Sequence, residues 1–265
     1  MASLGKYVSK LAGKRVLVIG GSSGIGFGVA EAAVQNGASS VFISSSSQSK
    51  ISNAIERLQS NNSAAKAQLQ GIPCNLGSAD TLTTEVEKLF AEVSKSGKLD
   101  HVVFTAGDKL AVGKLEDFTF DAIRQAGTVR FFAPIVIAQQ LRKHLNESTT
   151  SSFTIATGGA GEHVSKDWSI MQAYLSGLRG LTRGLAVDLA PIRVNAVAQG
   201  PTDTEIWSFV KDSGYWDNVT ARLKGRMTTG TIGQVEDVAE AYLYLMKDKN
   251  ASGSIVETTG GTLLS

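Results

Sequence analysis

At 265 residues, with 42% hydrophobic side chains and a formal charge of +2, the chain is large enough for one α/β domain with a sizeable core. The near-neutral balance gives no reason to expect nucleic acid or an anionic membrane as a partner. The single cysteine, Cys74, excludes an internal disulfide, fits a reducing cytoplasmic setting and reads as a small core residue at a strand end. Residues 1–14 lack the apolar run of a signal peptide, and no run of about eighteen apolar residues occurs, so no membrane span is expected.

In chain order, short β-rich apolar runs alternate with longer helical stretches. Strands are expected at Arg15–Ile19, 40–43, 67–72, His101–Phe104, 152–156, 192–196 and 254–257. Helices are expected at 25–35, 49–59, 79–93, 120–145, 169–189 and 234–246. Such alternation predicts a doubly wound, Rossmann-type parallel sheet flanked by helices on both faces. No linker interrupts the pattern, so residues 1–265 read as one domain.

Between the first strand and its helix lies Gly20-Gly21-Ser22-Ser23-Gly24-Ile25-Gly26. Gly20 suits a tight turn. Gly24 and Gly26 let a backbone approach a pyrophosphate and let the helix pack on the sheet. The helix start near Ile25 offers free amides and a positive dipole end to phosphate. At the end of the second strand, Ser44-Ser45-Ser46-Ser47-Gln48-Ser49-Lys50 stands where an NAD enzyme usually carries a carboxylate for the ribose diol. Hydroxyls and Lys50 can hold a 2′-phosphate there, so NADP(H) is favoured over NAD(H); the alternative for these serines is a solvated loop.

These motifs, with the stretch from Gly180 to Val197, resemble the short-chain dehydrogenase/reductase family over nearly the whole chain. The resemblance implies further cofactor contacts at Asn75-Leu76, at Thr105-Ala106-Gly107 and at Gly200, Thr202 and Thr204 of Gln199-Gly200-Pro201-Thr202-Asp203-Thr204. Gly260-Gly261 matches the family's C-terminal double glycine. It also implies a Tyr-x-x-x-Lys pair, a serine and an asparagine as catalytic groups. Here the Tyr and Lys positions hold Met171 and Leu175, the Ser position holds Gly158, and the Asn position falls on Gly127 or Thr128. Tyr174 is out of helical phase with Met171 and has no lysine four residues on. The cofactor site reads as kept and the proton-transfer groups as lost.

Arg130 lies in an apolar run and calls for a partner. The loop after the fifth strand carries Glu162, His163, Lys166, Asp167 and Trp168. Asp167 is the candidate proton-transfer or charge-stabilising group, kept ionised by Arg130, with helix capping as its equally weighted alternative. A structural ion pair is the alternative for Arg130. His163 reads as a loop residue. Trp168, Met171 and Phe131 are candidate substrate contacts. No metal site is expected.

Reduction of a ketone needs a proton at oxygen, whereas reduction of an iminium needs only hydride. Met171, Leu175, Arg130 and Lys166-Asp167-Trp168 further resemble the fungal reductase/Diels–Alderases of bicyclo[2.2.2]diazaoctane indole alkaloid pathways. That narrower resemblance implies NADPH-dependent reduction of a cyclic iminium from a prenylated Pro–Trp dipeptide, then a stereocontrolled intramolecular [4+2] cycloaddition. The alternatives are a non-catalytic NADP(H)-binding protein and a carbonyl reductase with a rearranged acid group. Either way the partner is a hydrophobic small molecule, and the family resemblance implies a homo-oligomer through the helices at 120–145 and 169–189.

Overall fold

Strands form at Arg15–Ile19 (β1), Ser40–Ser45 (β2), Gln68–Pro73 (β3), His101–Phe104 (β4), Ser152–Gly158 (β5), Arg193–Gln199 (β6) and Ile255–Thr258 (β7). In this computed structural model, which describes residues 5–7, 10–63, 66–163 and 165–264, they make one parallel sheet in the order β3-β2-β1-β4-β5-β6-β7. The helices are α1 (Gly24–Gln35), α2 (Gln48–Asn61), α3 (Leu82–Val93), α4 (Phe120–Gly127), α5 (Ala133–His144), α6 (Ser169–Asp188), α7 (Ser208–Asp212), α8 (Trp216–Lys224) and α9 (Val235–Lys247). The doubly wound Rossmann-type architecture expected from β-α alternation is the one observed.

The two-residue period of a strand sends alternate side chains to opposite faces. In β1, Leu17 and Ile19 join a core with α3, α5 and α6, whereas Val16 and Val18 join a core with α1, α2 and α9. Val16, Leu17 and Val18 have no exposed surface, and each contributes about 1.5–3 kcal/mol through burial. The buried Arg193 fastens β6 to the end of α9 by donating to the carbonyls of Leu245, Met246 and Ala251. Cys74 is buried just after β3, where desolvation, assisted by Glu85, pushes its thiol up to about 12.

Chain order reverses between β1 and β4, so the carboxyl ends of these strands diverge and leave a crevice. Two departures from the sequence reading shape that crevice. The single helix expected at 120–145 is three pieces: α4, a π-helical segment Thr128–Phe132, and α5 with a proline in its first turn. A π segment widens the helix by a residue per turn and so re-aims the side chains it carries, here Arg130 and Phe131. The second departure is at 205–224, where a 3-10 turn (Glu205–Trp207), α7 and α8 form a cover for which the sequence reading assigned no element. Among the described residues, no helix is long and apolar enough to cross a membrane.

Candidate active site

The crevice holds a groove and a deeper cavity that share a wall. The groove, about 470 Å³, is lined by the β1–α1 turn, by Ser44, Ser45, Ser46 and Lys50, and by Asn75, Leu76, Ala106 and Gly107. Gly20 sits at φ +91°, and an added Cβ would lie 2.5 Å from the amide nitrogen of Ala106. A Cβ on Gly26 would overlap the Gly20 carbonyl and the Thr105 hydroxyl. Both positions therefore require glycine on steric grounds alone.

The groove fits a nicotinamide dinucleotide by two observations. The α1 N-terminus already draws an anion: Gly24 N–H donates to a carboxylate oxygen of Glu205 at 2.8 Å, from a residue far along the chain. A pyrophosphate makes the same demand on those amides. At the end of β2, the Ser44 hydroxyl is buried without a hydrogen-bond partner and lines the groove. Ser22, Ser23, Ile25 and Thr204 also line the groove, so each expected cofactor contact borders it except Gly200 and Thr202, which line the adjoining cavity. Asn75 uses its side-chain oxygen to accept from Gly77 N–H at 3.0 Å, and Leu76 is 5% exposed and packs in the core.

The cavity, about 310 Å³, lies beyond Ile25, Thr105, Ala106, Arg130 and Thr204, which it shares with the groove. Gly158 and Leu175, which the sequence reading assigns to the family's serine and lysine positions, both line it. They replace each other's space: a Cβ on Gly158 would lie 3.3 Å from the Leu175 side chain. Together they make an apolar stretch of the cavity wall. Tyr174 faces elsewhere. Its hydroxyl donates to the Ile123 carbonyl at 3.0 Å, its ring fills the space left by Gly127, and burial pushes its pKa up. Thr128 donates to the Arg124 carbonyl within its own helix at 3.2 Å.

Several sequence expectations are corrected here. Arg130 pairs with Asp108, not Asp167: its Nε lies 3.2 Å from the Asp108 carboxylate, and its guanidinium also donates to the Asp108 carbonyl. The Nε–carboxylate contact is a charge contact without hydrogen-bond alignment, because both atoms are buried and make no aligned bond. Burial pulls Arg130 down and Asp108 opposes that shift. Gly107 makes the arrangement possible, since a Cβ there would lie 2.7 Å from the guanidinium. Asp167 neither lines the cavity nor caps α6, whose N-cap is Trp168. Its backbone adopts φ +67°, and its carbonyl accepts from Gly113 N–H at 3.0 Å, tying two loops together.

Met171 and Phe131 do not line the cavity either. Met171 is fully buried under α6, because residues 171, 175, 178 and 182 share its inward face. Phe131 packs on Gly177 and the Tyr174 ring, with centroids 5.4 Å apart. Trp168 does line the cavity. The sequence reading missed Asp108, Leu110, Ile206, Trp207, Leu223 and Arg226, all of which border the groove or the cavity. Asp108 was findable, since it directly follows the turn at the end of β4, where ligands of open α/β sheets sit.

An SDR-like Rossmann domain model matches residues 7–265, and the chain belongs to the short-chain dehydrogenase/reductase family. It is 86% identical over 265 residues to the short-chain dehydrogenase/reductase fsr5 of Gibberella fujikuroi, covering all of both chains. To the short-chain dehydrogenase/reductase malC of Malbranchea aurantiaca it is 37% identical over 255 residues, 96% of each chain. The solved structure of MalC reductase/Diels–Alderase superposes with a TM-score of 0.92, covering 98% of this chain and 100% of that one at 35% identity. A short-chain dehydrogenase of Burkholderia cenocepacia, solved in complex with NADP, matches at 27% identity and TM-score 0.81 over 96% of this chain and 99% of that one. The chain is thus an oxidoreductase-family protein with a nicotinamide-cofactor fold.

Proposed function

We propose that this protein is a single-domain, NADPH-dependent reductase of a substrate that arrives already electrophilic, so that hydride addition needs no proton donor. The observation that carries the reading is the apolar wall of Gly158 and Leu175, standing in the cavity where the family's serine and lysine act. Ser45, Ser46 and Lys50 border the groove and the four serines bring no carboxylate, which favours a 2′-phosphate. When bound, the reduced cofactor supplies the hydride.

In the finer form of this reading, the substrate is a cyclic iminium from a prenylated Pro–Trp dipeptide, and the product undergoes an intramolecular [4+2] cycloaddition in the same cavity. The likeness to MalC supports it. The Asp108 carboxylate borders the groove beside Arg130, on the cofactor side of the shared wall, and offsets a cationic carbon brought up to that side, the role first expected of Asp167. Trp168, Leu175 and Leu178 hold the apolar body, and the cycloaddition then needs only a fixed fold of diene and alkene. A cytoplasmic homo-oligomer fits this reading, with the exposed Phe120 on α4 and Val187 on α6 available for contacts between copies.

A second reading, a carbonyl reductase with a relocated polarising group, is favoured by one observation: the Arg226 guanidinium donates to the His163 Nε2 and both line the cavity.

The test incubates the pre-cyclised, prenylated Pro–Trp iminium with the protein and NADPH deuterated at C4, followed by chiral LC–MS. Deuterium in a reduced species and one enantiomer of a bridged product are expected. Turnover of simple ketones or aldehydes with no reaction of the iminium selects the carbonyl reading. Bound cofactor that no electrophile oxidises leaves a binding protein and overturns both.

A further inference from the structure

The first amides of α1 have no acceptor within their own helix. Ser23, at the N-cap, offers them no side-chain hydrogen bond, and the first turn carries no acidic residue. The acceptor comes instead from 181 positions along the chain, where the Glu205 carboxylate takes the Gly24 N–H at 2.8 Å. The two segments touch closely: a Cβ on Gly24 would lie 3.4 Å from the Thr204 side chain and 3.5 Å from that carboxylate oxygen.

Glu205 opens the 3-10 turn that leads into α7 and α8, so it is the leading end of the cover. It borders the groove and not the cavity. Ile206 borders both, and Trp207 borders the cavity and not the groove. Three successive residues thus run from one compartment to the other. The chain behind them is fixed: Gly233 N–H donates to the Pro201 carbonyl, Asp203 N–H donates to the Gly233 carbonyl, and the Trp207 indole N–H donates to the Thr202 carbonyl at 3.0 Å. Glu205 is exposed, so its bond to Gly24 stands in competition with water and yields to a stronger anion. A pyrophosphate has more charge and more acceptor oxygens than a carboxylate, and two anions drawn to the same amides repel each other.

We infer that Glu205 is a tethered competitor of the cofactor's pyrophosphate: its carboxylate occupies an α1 amide that the dinucleotide needs, weakens cofactor binding and ties the leading end of the cover to the cofactor groove. The inference rests on the proposed function only in placing NADPH in that groove. Tethering keeps the carboxylate at high local concentration beside Gly24, so it retakes the amide whenever the pyrophosphate lifts off and hastens release of the cofactor. Ile206 and Trp207 follow on the same turn, so the cavity wall feels the exchange.

The experiment titrates NADPH by fluorescence into the unaltered protein, Glu205→Gln and Glu205→Ala, and measures its release by stopped-flow displacement. Adenosine 2′-monophosphate, which has the 2′-phosphate but no pyrophosphate, is the second probe, read by calorimetry. NADPH is expected to bind on the order of fivefold more tightly to Glu205→Ala and to leave more slowly, with a smaller effect in Glu205→Gln, whose amide oxygen still accepts from Gly24. Adenosine 2′-monophosphate should bind all three proteins alike. In buffer alone, hydrogen exchange of peptides covering 205–224 should be faster in Glu205→Ala, because the cover has lost its tie. Unchanged or weaker NADPH binding in Glu205→Ala, equal tightening of both probes, or unchanged exchange in the cover would overturn the inference and leave the cofactor reading standing. An unaltered protein that binds no NADPH would overturn the cofactor reading and this inference together.

Discussion

The β1–α1–β2 region and the β5–α6 region flank β4 on the carboxyl edge of one sheet, yet they offer their chemistry in different ways. In the first, the chemistry belongs to the backbone: amides at the start of α1, a turn at φ +91°, and close approach at Gly26. Side chains there are short or absent because anything larger collides with the fold itself. In the second, the positions that the sequence reading assigns to the family's catalytic side chains hold Gly158, Met171 and Leu175, and the scaffold forms around these residues. A site made of main chain is tied to the fold, whereas one made of side chains is free to change its reaction.

The largest expected effect tests the first region. Gly26→Val forces a side chain into the Gly20 carbonyl, so it should cost about 3 kcal/mol in chemical denaturation and abolish NADPH binding in a fluorescence titration. Full affinity in that variant would break the claim that backbone approach defines the cofactor site.

Leu175→Lys tests the second region. Leu175 is 7% exposed, and an ammonium placed there has no carboxylate in the cavity lining to meet it. A loss of roughly 2–4 kcal/mol is expected, with NADPH binding retained. An unchanged melting temperature would mean that the old lysine environment survives.

Asp108→Ala sharpens the comparison at the wall the two regions share. It removes the carboxylate from Arg130, whose side chain is 17% exposed, and should cost about 1–3 kcal/mol, less than for a fully buried pair. It should also slow deuteride transfer to the iminium on the order of tenfold, against less than twofold for Asp167→Ala. The reverse order in single-turnover rates would return the catalytic role to Asp167.

The remaining prediction concerns the frame beneath both regions. Burial lowers His101 on β4 from 6.5 to about 3, so the native state keeps this ring neutral while the unfolded chain protonates it. Its contribution to stability is fully present above pH 6.5 and is lost as pH falls toward about 3, at no more than roughly 1.4 kcal/mol per pH unit. Asp100, lowered despite its burial by Lys14 and the Arg15 amide, adds a loss in the same direction below its ordinary value of 3.8. Denaturation midpoints of His101→Gln should therefore fall less steeply with acid than those of the unaltered protein.

Local pattern determined a great deal. β1 and β4 fall on the expected residues, and the other strands and most helices differ by one to three residues at their ends. Their runs of apolar residues are long enough for periodicity to speak, and the glycine turn carries its steric reason within seven residues. The reading of Met171, Leu175 and Gly158 at the family's Tyr, Lys and Ser positions likewise needs only spacing. What the tertiary structure alone decided is which side chains meet. The π segment at Thr128–Phe132 turned Arg130 toward Asp108 and Phe131 toward α6. The inward face of α6 sent Met171 into the core and Leu175 into the cavity, and the left-handed backbone at Asp167 spent that residue on a loop tie. The cover at 205–224, which brings in Trp207, has helices too short for periodicity to announce, and it takes its place by packing over the crevice. Strand and helix formation depend on neighbours in sequence, whereas the pairing of a guanidinium with one carboxylate and not another depends on helical phase and loop path, which contacts distant in sequence set.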